Sequence, residues 1–231
     1  MNLAYYTCFY GSNSNKAFAI PPLPSSTYNC YYYTNNQDLL NTLKTTQWIG
    51  VFDDKPTTDD MIESCMASKH VKVLPHIYKE LKDYDYLVYL DSKLKKLNES
   101  LIESHIRTYF IKQNYAMLLR KHVYWQNGIW NEYEQSMKQE RYLIQSDNYK
   151  KYIHERLDSG LSARVPIQCQ CGLLIRNMKH PKIVDINNTW MRHILACGIQ
   201  DQISFFFVQQ FYSRGTILPF TEFPFLRDQS T

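Results

Sequence analysis

Glycine is scarce in this 231-residue chain: there are seven, and no two lie closer than the twelve positions from Gly160 to Gly172. A G-x-G-x-x-G dinucleotide turn or a Walker-type loop needs several glycines within about eight residues, so that backbone N–H groups can close on phosphate. Neither can form here, and a phosphorylated ligand must be held by side chains or by a metal. Long apolar runs are also missing. The longest are about half the ~20 residues that span a bilayer, and Met1 to Tyr10 lacks the charged start and apolar centre of a signal peptide. Charge of one sign is not concentrated either. The net charge is +4, no five like charges run together, and the densest basic stretch is Lys93, Lys95 and Lys96. A general nucleic-acid binder would carry a basic face. The expectations are a cytoplasmic protein without a transmembrane segment and no nucleic-acid partner.

What the chain does have is apolar and aromatic: 44% hydrophobic residues, with 19 Tyr, 11 Phe and 4 Trp, enough for a substantial core. Its six cysteines are scattered through apolar segments; Cys169-Gln-Cys171 has no second pair at zinc spacing, so they read as buried free thiols. Neither H-E-x-x-H nor G-x-S-x-G occurs.

The first half alternates short β-branched and aromatic runs with helical patterns, as a βαβ sheet does. Strands are predicted at Leu3 to Tyr10, Cys30 to Thr34, Gln47 to Phe52, Val71 to Leu74 and Tyr84 to Asp91, the last as a central strand covered on both faces. Helices are predicted at Asp38 to Leu43, from a Thr57 or Thr58 cap to Ser68, and at Glu99 to Lys112, where His105 falls on the apolar face. A strand at Tyr115 to Leu119 follows. The second half is more helical: Gly128 to Gln139, Asp147 to Ser159, Asp185 to Cys197 and Gln202 to Phe211, with a strand at Gly172 to Arg176. From Gly215 the tail, broken by Pro219 and Pro224, reads as an extended segment packed on the core.

Open α/β sheets bind ligands beyond the carboxyl ends of their strands, where strand order switches. The polar residues at those ends are Thr7 and Tyr10, then Asn35, then Asp53 and Asp54, then Asp91 with Ser92 and Lys93. A carboxylate at the end of a buried strand needs a partner, either a divalent cation or a lysine. Asp91 otherwise caps the next helix or pairs with Lys93. Asp201 stands where it can cap a helix, and Arg176 closes a buried strand, so it pairs with Asp201 or Asp185 or turns to a phosphate. Tyr6, Tyr10 and Tyr31 to Tyr33 offer faces for a nucleobase.

Lys72-Val-Leu-Pro-His76 and Tyr84-Asp-Tyr-Leu-Val-Tyr-Leu-Asp91-Ser-Lys93 resemble the K-[IV]-L-P-H segment and the Y-D-[YF] … [WY]-[IL]-D-[AGS]-[KSN] strand of a glycosyltransferase-like family of GT-A fold. That family has plant cell-wall and mucilage, bacterial and viral members. Lys121-His122 with Asn131-Glu132, then Gly172-Leu-Leu-Ile-Arg176-Asn, Trp190 and Asp201-Gln-Ile-Ser-Phe205 follow in its order, so the resemblance covers most of residues 3 to 210. It implies a single α/β domain with a GT-A-like, Rossmann-related, mainly parallel mixed sheet flanked by helices. Residues 1–95 would form a nucleotide-sugar-binding half, and 96–231 an acceptor-binding half with the tail. It implies an enzyme that moves a sugar from a nucleotide-sugar donor such as a UDP-sugar to a hydroxyl of a glycan or other acceptor. The alternative is a non-catalytic nucleotide-sugar or carbohydrate-binding protein that retains the fold.

By the same resemblance Asp91 is the surviving carboxylate of a D-x-D element and would hold a divalent metal, Mn or Mg, on the donor diphosphate. Lys93 stands where the second Asp would be, and a lysine can neutralise the leaving diphosphate itself. Donor contacts are then Thr7, Tyr10, Asp53, Lys72, His76, Asp91, Ser92, Lys93 and Arg176. Acceptor contacts are His122, Glu132, Trp190, His193 and Gln202, with Asp201 and Asp91 in catalytic positions and Asp201 a base on the acceptor hydroxyl. Gln200 and His193 replace an arginine and a glutamate of the family pattern.

Overall fold

The computed structural model describes residues 1–14, 20–93, 96–122, 128–213 and 215–221. Lys95 and Pro224 lie outside them. Strand β1 (Leu3–Phe9) alternates its side chains between two cores, as the period of two requires. Ala4, Tyr6 and Cys8 face one, and Leu3, Tyr5 and Phe9 the other. β2 (Asn29–Thr34) and β4 (Tyr86–Leu90) flank β1 in parallel, and β3 (Ile49–Phe52) lies parallel outside β2. On the other side β6 (Cys169–Asn177) runs antiparallel to β4 and to β5 (Met117–Lys121). β7 (Ile217–Phe220) closes that edge parallel to β5, as the expected extended tail segment.

The order β3-β2-β1-β4-β6-β5-β7 makes a seven-stranded mixed, mostly parallel sheet. Strand order switches at β1, whose chain continues into β2 on one side while β4 joins on the other. The helices divide between the faces. α2 (Met61–Val73), α7 (Ile183–Cys197) and α8 (Asp201–Val208) pack on the face of Tyr6 and Tyr89 through Val71, Val73, Ile186, Trp190 and Phe205. α1 (Gln37–Leu43) and α3 (Glu99–His105) cover the face of Tyr5 and Val88 through Leu39, Leu43 and Ile102. α4 (Ile129–Ser136), α5 (Glu140–Leu143) and α6 (Ser146–Asp158) build a third cluster against the outer side of α8, with Tyr149, Tyr152, Phe206 and Phe207 fully buried. This is the expected single-domain α/β architecture.

Three local expectations change. Val71 to Leu74 is not a strand: α2 runs through Val73 and stops at Leu74, because Pro75 disfavours helical backbone in the residue before it. The β-branched residues there are helix core, buried against β1. The cap of α2 is Asp60, whose Oδ1 accepts from the N–H groups of Ile62 and Glu63 at 2.7 and 3.0 Å, while Thr58 caps Asp60 in turn. The third helix keeps α geometry only to His105 and continues as a π-helix over Ile106–Lys112. His105 is buried between the rings of Tyr109 and Phe220, as its apolar face requires. All six cysteines are free thiols.

Candidate functional site

A cavity of about 320 Å³ opens beyond the carboxyl ends of β1 and β4, beside the switch in strand order. Residues from both halves of the chain line it: Tyr10 after β1, Asp91, Ser92 and Lys93 after β4, Lys69 and Lys72 from α2, and Gln200, Asp201 and Gln202 at the start of α8. The antiparallel β6 contributes its amino end, where Gly172 O accepts from Asp91 N at 2.9 Å and so fixes the turn that carries the carboxylate.

The centre of the cavity is a charge cluster. Lys69 and Lys72 are three residues apart, so they share one face of α2. Both ammonium groups donate to the same oxygen, Asp201 Oδ2, at 2.8 and 2.7 Å. Lys72 Nζ also lies 3.4 Å from Asp91 Oδ1, which accepts from Tyr89 OH at 2.9 Å, and it sits 5.0 Å over the Tyr89 ring. Lys72 reaches this position because side chains lean toward the N-terminus of their helix, which carries its long stem back past the end of β4. The Lys72 and Asp201 side chains are 3% and 7% exposed, whereas Asp91 is 45% exposed and half open to the cavity.

Burial alone would raise the Asp201 carboxyl, but Lys69 and then Lys72 overcome it and hold that carboxyl well below the usual range. Burial likewise works against charge on Lys72; Asp201 and then Asp91 keep its ammonium above the ordinary lysine range. Burial disfavours the thiolate form of the cysteines in the wall: it pushes Cys8 up to about 12, with the charge of Asp91 adding to it, and raises Cys65 and Cys171 as well.

Of the residues singled out from sequence, Tyr10, Lys72, Asp91, Ser92, Lys93, Asp201 and Gln202 converge on this cavity. Glu132 lies directly behind it. Its Oε1 accepts from Gln202 Nε2 at 2.8 Å and its Oε2 from Gln168, and burial raises its carboxyl. Asp53 is one contact removed, accepting from Tyr10 OH at 2.5 Å and pairing with Lys55 at 2.9 Å.

The other expected residues are elsewhere. Thr7 is fully buried within β1. Arg176 is also fully buried and pairs with no expected carboxylate: Nη1 donates to Tyr6 OH at 2.8 Å and Nε to Asn187 Oδ1 at 3.1 Å. The reason is topological. β6 is antiparallel to β4, so its carboxyl end, where Arg176 lies, is at the end of the strands opposite the cavity. His76 meets Asn187 there at 3.3 Å. Trp190 is core, donating to Ser204 Oγ at 3.1 Å against the ring of Phe205. His193 packs on Phe211 and pairs with Tyr152 OH at 2.6 Å. His122, after β5, is partly buried and does not line the cavity. Asp201 is not an N-cap either. Gln200 occupies that position, which frees the Asp201 carboxylate for the lysines.

Sequence reasoning missed Arg141, a fourth cation in the wall, stacked 4.5 Å over the Tyr142 ring and with Nε buried without a hydrogen-bond partner among the described residues. No motif marks it; it lies on α5, the single short turn of helix between α4 and α6.

The side chains do not fit the divalent metal that the resemblance implies. Among the described residues no three His, Cys, Asp or Glu side chains stand as a metal-binding group. Asp91 Oδ1 is already engaged by Tyr89 and Lys72, Asp201 Oδ2 by two ammonium groups, and Lys93 replaces the second carboxylate. Mg²⁺ or Mn²⁺ would need several more oxygen ligands and would face the Lys69 and Lys72 ammonium groups already seated on these carboxylates.

No family model and no curated protein matches the sequence. Solved structures do resemble it. Mouse xyloside xylosyltransferase 1 superposes with a TM-score of 0.51 at 11% identity, covering 94% of this chain and 84% of that one. The bifunctional glycosyltransferase WbbM gives 0.44 at 16% identity over 94% and 38% of the two chains. The mannosyltransferase Ktr4p of S. cerevisiae gives 0.46 at 9% over 90% and 65%. No helix among the described residues is long and apolar enough to cross a membrane. The seven-stranded sheet and its flanking helices form a GT-A-like fold.

Proposed function

We propose that the chain is a glycosyltransferase that moves a sugar from a nucleotide-sugar donor to a hydroxyl of a glycan or other acceptor. One observation carries the reading: Tyr10, Lys72, Asp91, Ser92, Lys93, Asp201 and Gln202, far apart in sequence, surround one cavity at the switch in strand order. The donor side is the first half of the chain, about residues 1–95, with Tyr10 and its partner Asp53 toward the nucleoside and Lys72, Ser92 and Lys93 toward the diphosphate. Asp91, the more open of the two carboxylates in the cavity wall, faces the sugar. The acceptor side is the second half, with Gln202 held by Glu132 beside Asp201.

In the reaction the acceptor oxygen bonds to the anomeric carbon, and the bond from that carbon to the phosphate oxygen breaks. The electron pair leaves on the nucleoside diphosphate, whose growing charge the lysines stabilise. The acceptor proton passes to a carboxylate of the cavity, from which solvent removes it. Resident cations need no reorganisation as the leaving group departs, which is the source of their catalytic value.

A panel of UDP- and GDP-sugars tests the reading. At least one donor raises the melting temperature and is slowly hydrolysed to the nucleoside diphosphate. A panel with neither shift nor hydrolysis removes the proposal.

A further inference from the structure

Two ammonium groups aimed at one carboxylate oxygen is an uncommon way to use buried charge. One lysine would neutralise Asp201, and the second adds desolvation cost for little further gain. Among the described residues the wall of the cavity carries four cationic side chains, Lys69, Lys72, Lys93 and Arg141, against two acidic ones, Asp91 and Asp201. Two positive charges are left over, which equals the charge of the two phosphates in a nucleotide sugar. A divalent cation would double that surplus.

The pieces also differ in reach. Asp201 is short and fixed at the first residue of α8, whereas Lys69 and Lys72 end four-carbon stems, and the Lys69 side chain is already 16% exposed. An anion entering the cavity can therefore draw the ammonium groups off a carboxylate that stays where it is.

We propose that Lys69 and Lys72 join Lys93 in binding the diphosphate in this cavity, acting in place of a divalent metal, and that Asp201 is the resident counterion of Lys69 and Lys72, displaced when a diphosphate binds. The inference rests on the donor-site reading above and deepens it. In the empty site Asp201 keeps Lys72 charged in a buried position. In the occupied site phosphate oxygens take over that role, and Asp201, relieved of both cations, regains proton affinity beside the acceptor. One carboxylate thus serves first as counterion and then as acceptor-side group, and donor binding makes the change.

The test is calorimetric titration of inorganic pyrophosphate into the full chain at fixed ionic strength in EDTA. Wild type binds, Asp201→Asn binds about tenfold tighter because nothing competes for the ammonium groups, and Lys69→Met binds about tenfold more weakly. Replacing EDTA by Mn²⁺ brings no gain. The proposal is overturned if wild type binds only with Mn²⁺ or not at all, or if folded Asp201→Asn binds no tighter than wild type. Should Asp201→Asn fail to fold, Lys69→Met decides alone: it keeps the Lys72–Asp201 pair, and an unchanged affinity overturns the proposal. Failure of the glycosyltransferase reading would show separately, as absence of nucleoside diphosphate release from nucleotide sugars, with the pyrophosphate series unaffected.

Discussion

Replacing Lys72 by Met removes the ammonium at the centre of the cluster while keeping an unbranched stem of similar volume beside Tyr89. Removing one partner of a fully buried ion pair costs about 3–5 kcal/mol when the other charge is stranded. Here neither carboxylate is stranded: Asp201 keeps Lys69 at 2.8 Å, and Asp91 is 45% exposed and keeps Tyr89 at 2.9 Å. The expected loss is therefore about 2–3 kcal/mol, below that range. Lys69→Met is expected to cost less than about 1 kcal/mol, because the Lys69 side chain is partly solvated and Asp201 keeps Lys72 at 2.7 Å. Urea unfolding followed by tryptophan fluorescence measures both. With a slope of about 2–3 kcal/mol per molar, the Lys72 variant should lose about 1 M in midpoint at unchanged slope. A Lys72→Met midpoint within about 0.2 M of wild type, or a Lys69→Met loss equal to it, would refute the assignment of Lys72 as the buried keystone of the cluster.

Three further outcomes are expected. Gly198 ends α7 at φ +110°, and a Cβ there would stand 2.6 Å from Gln145 Oε1 and 3.0 Å from the Tyr149 ring, so Gly198→Ala should cost more than about 2 kcal/mol in urea unfolding; a loss under about 0.5 kcal/mol would contradict that packing. Burial, helped by Arg156 and Arg192, lowers His193 to about 4, so the unfolded chain binds its proton first. Its stabilising effect is complete above the unfolded value of about 6.5 and is lost as pH falls from there toward 4; for a partly solvated ring this amounts to about 1–2 kcal/mol. His193→Gln should flatten stability between pH 6.5 and 4, and an unchanged pH profile would count against it. Asp91→Asn should reduce kcat for donor turnover by about 10²-fold or more and leave the melting temperature within a few degrees, since the side chain is half exposed; a fall in melting temperature without a fall in kcat would make Asp91 structural.

The architecture was legible where chain punctuation and apolar period agree. The β1, β2 and β4 runs each end in a polar turn, and Gly160 and Gly198 stop their helices at positive φ. Reading failed at Val71 to Leu74, where β-branched residues suggest a strand but burial against β1 and the preceding helical turns keep them in α2. Within the cavity, Asp91 was legible because a carboxylate closing a buried strand needs a partner. Its partner was not, since Lys72 lies 19 residues away on another element and Asp201 meets Lys69 across 132 residues. Arg176 misled for a topological reason. A strand that ends in arginine looks the same whichever way it runs, and only the antiparallel pairing of β6 with β4 sends that end away from the site.

A crystal soaked with a hydrolysis-resistant UDP- or GDP-sugar in EDTA tests the central claim most directly. The account requires density for the diphosphate within hydrogen-bond distance of Lys69 and Lys72 Nζ, with the sugar between Asp91 and Asp201 and no Lys69–Asp201 contact. Donor density elsewhere, for instance in the cavity of about 430 Å³ between Tyr115, Ile167 and Leu218, or a saturated soak that leaves both lysines on Asp201, would contradict it.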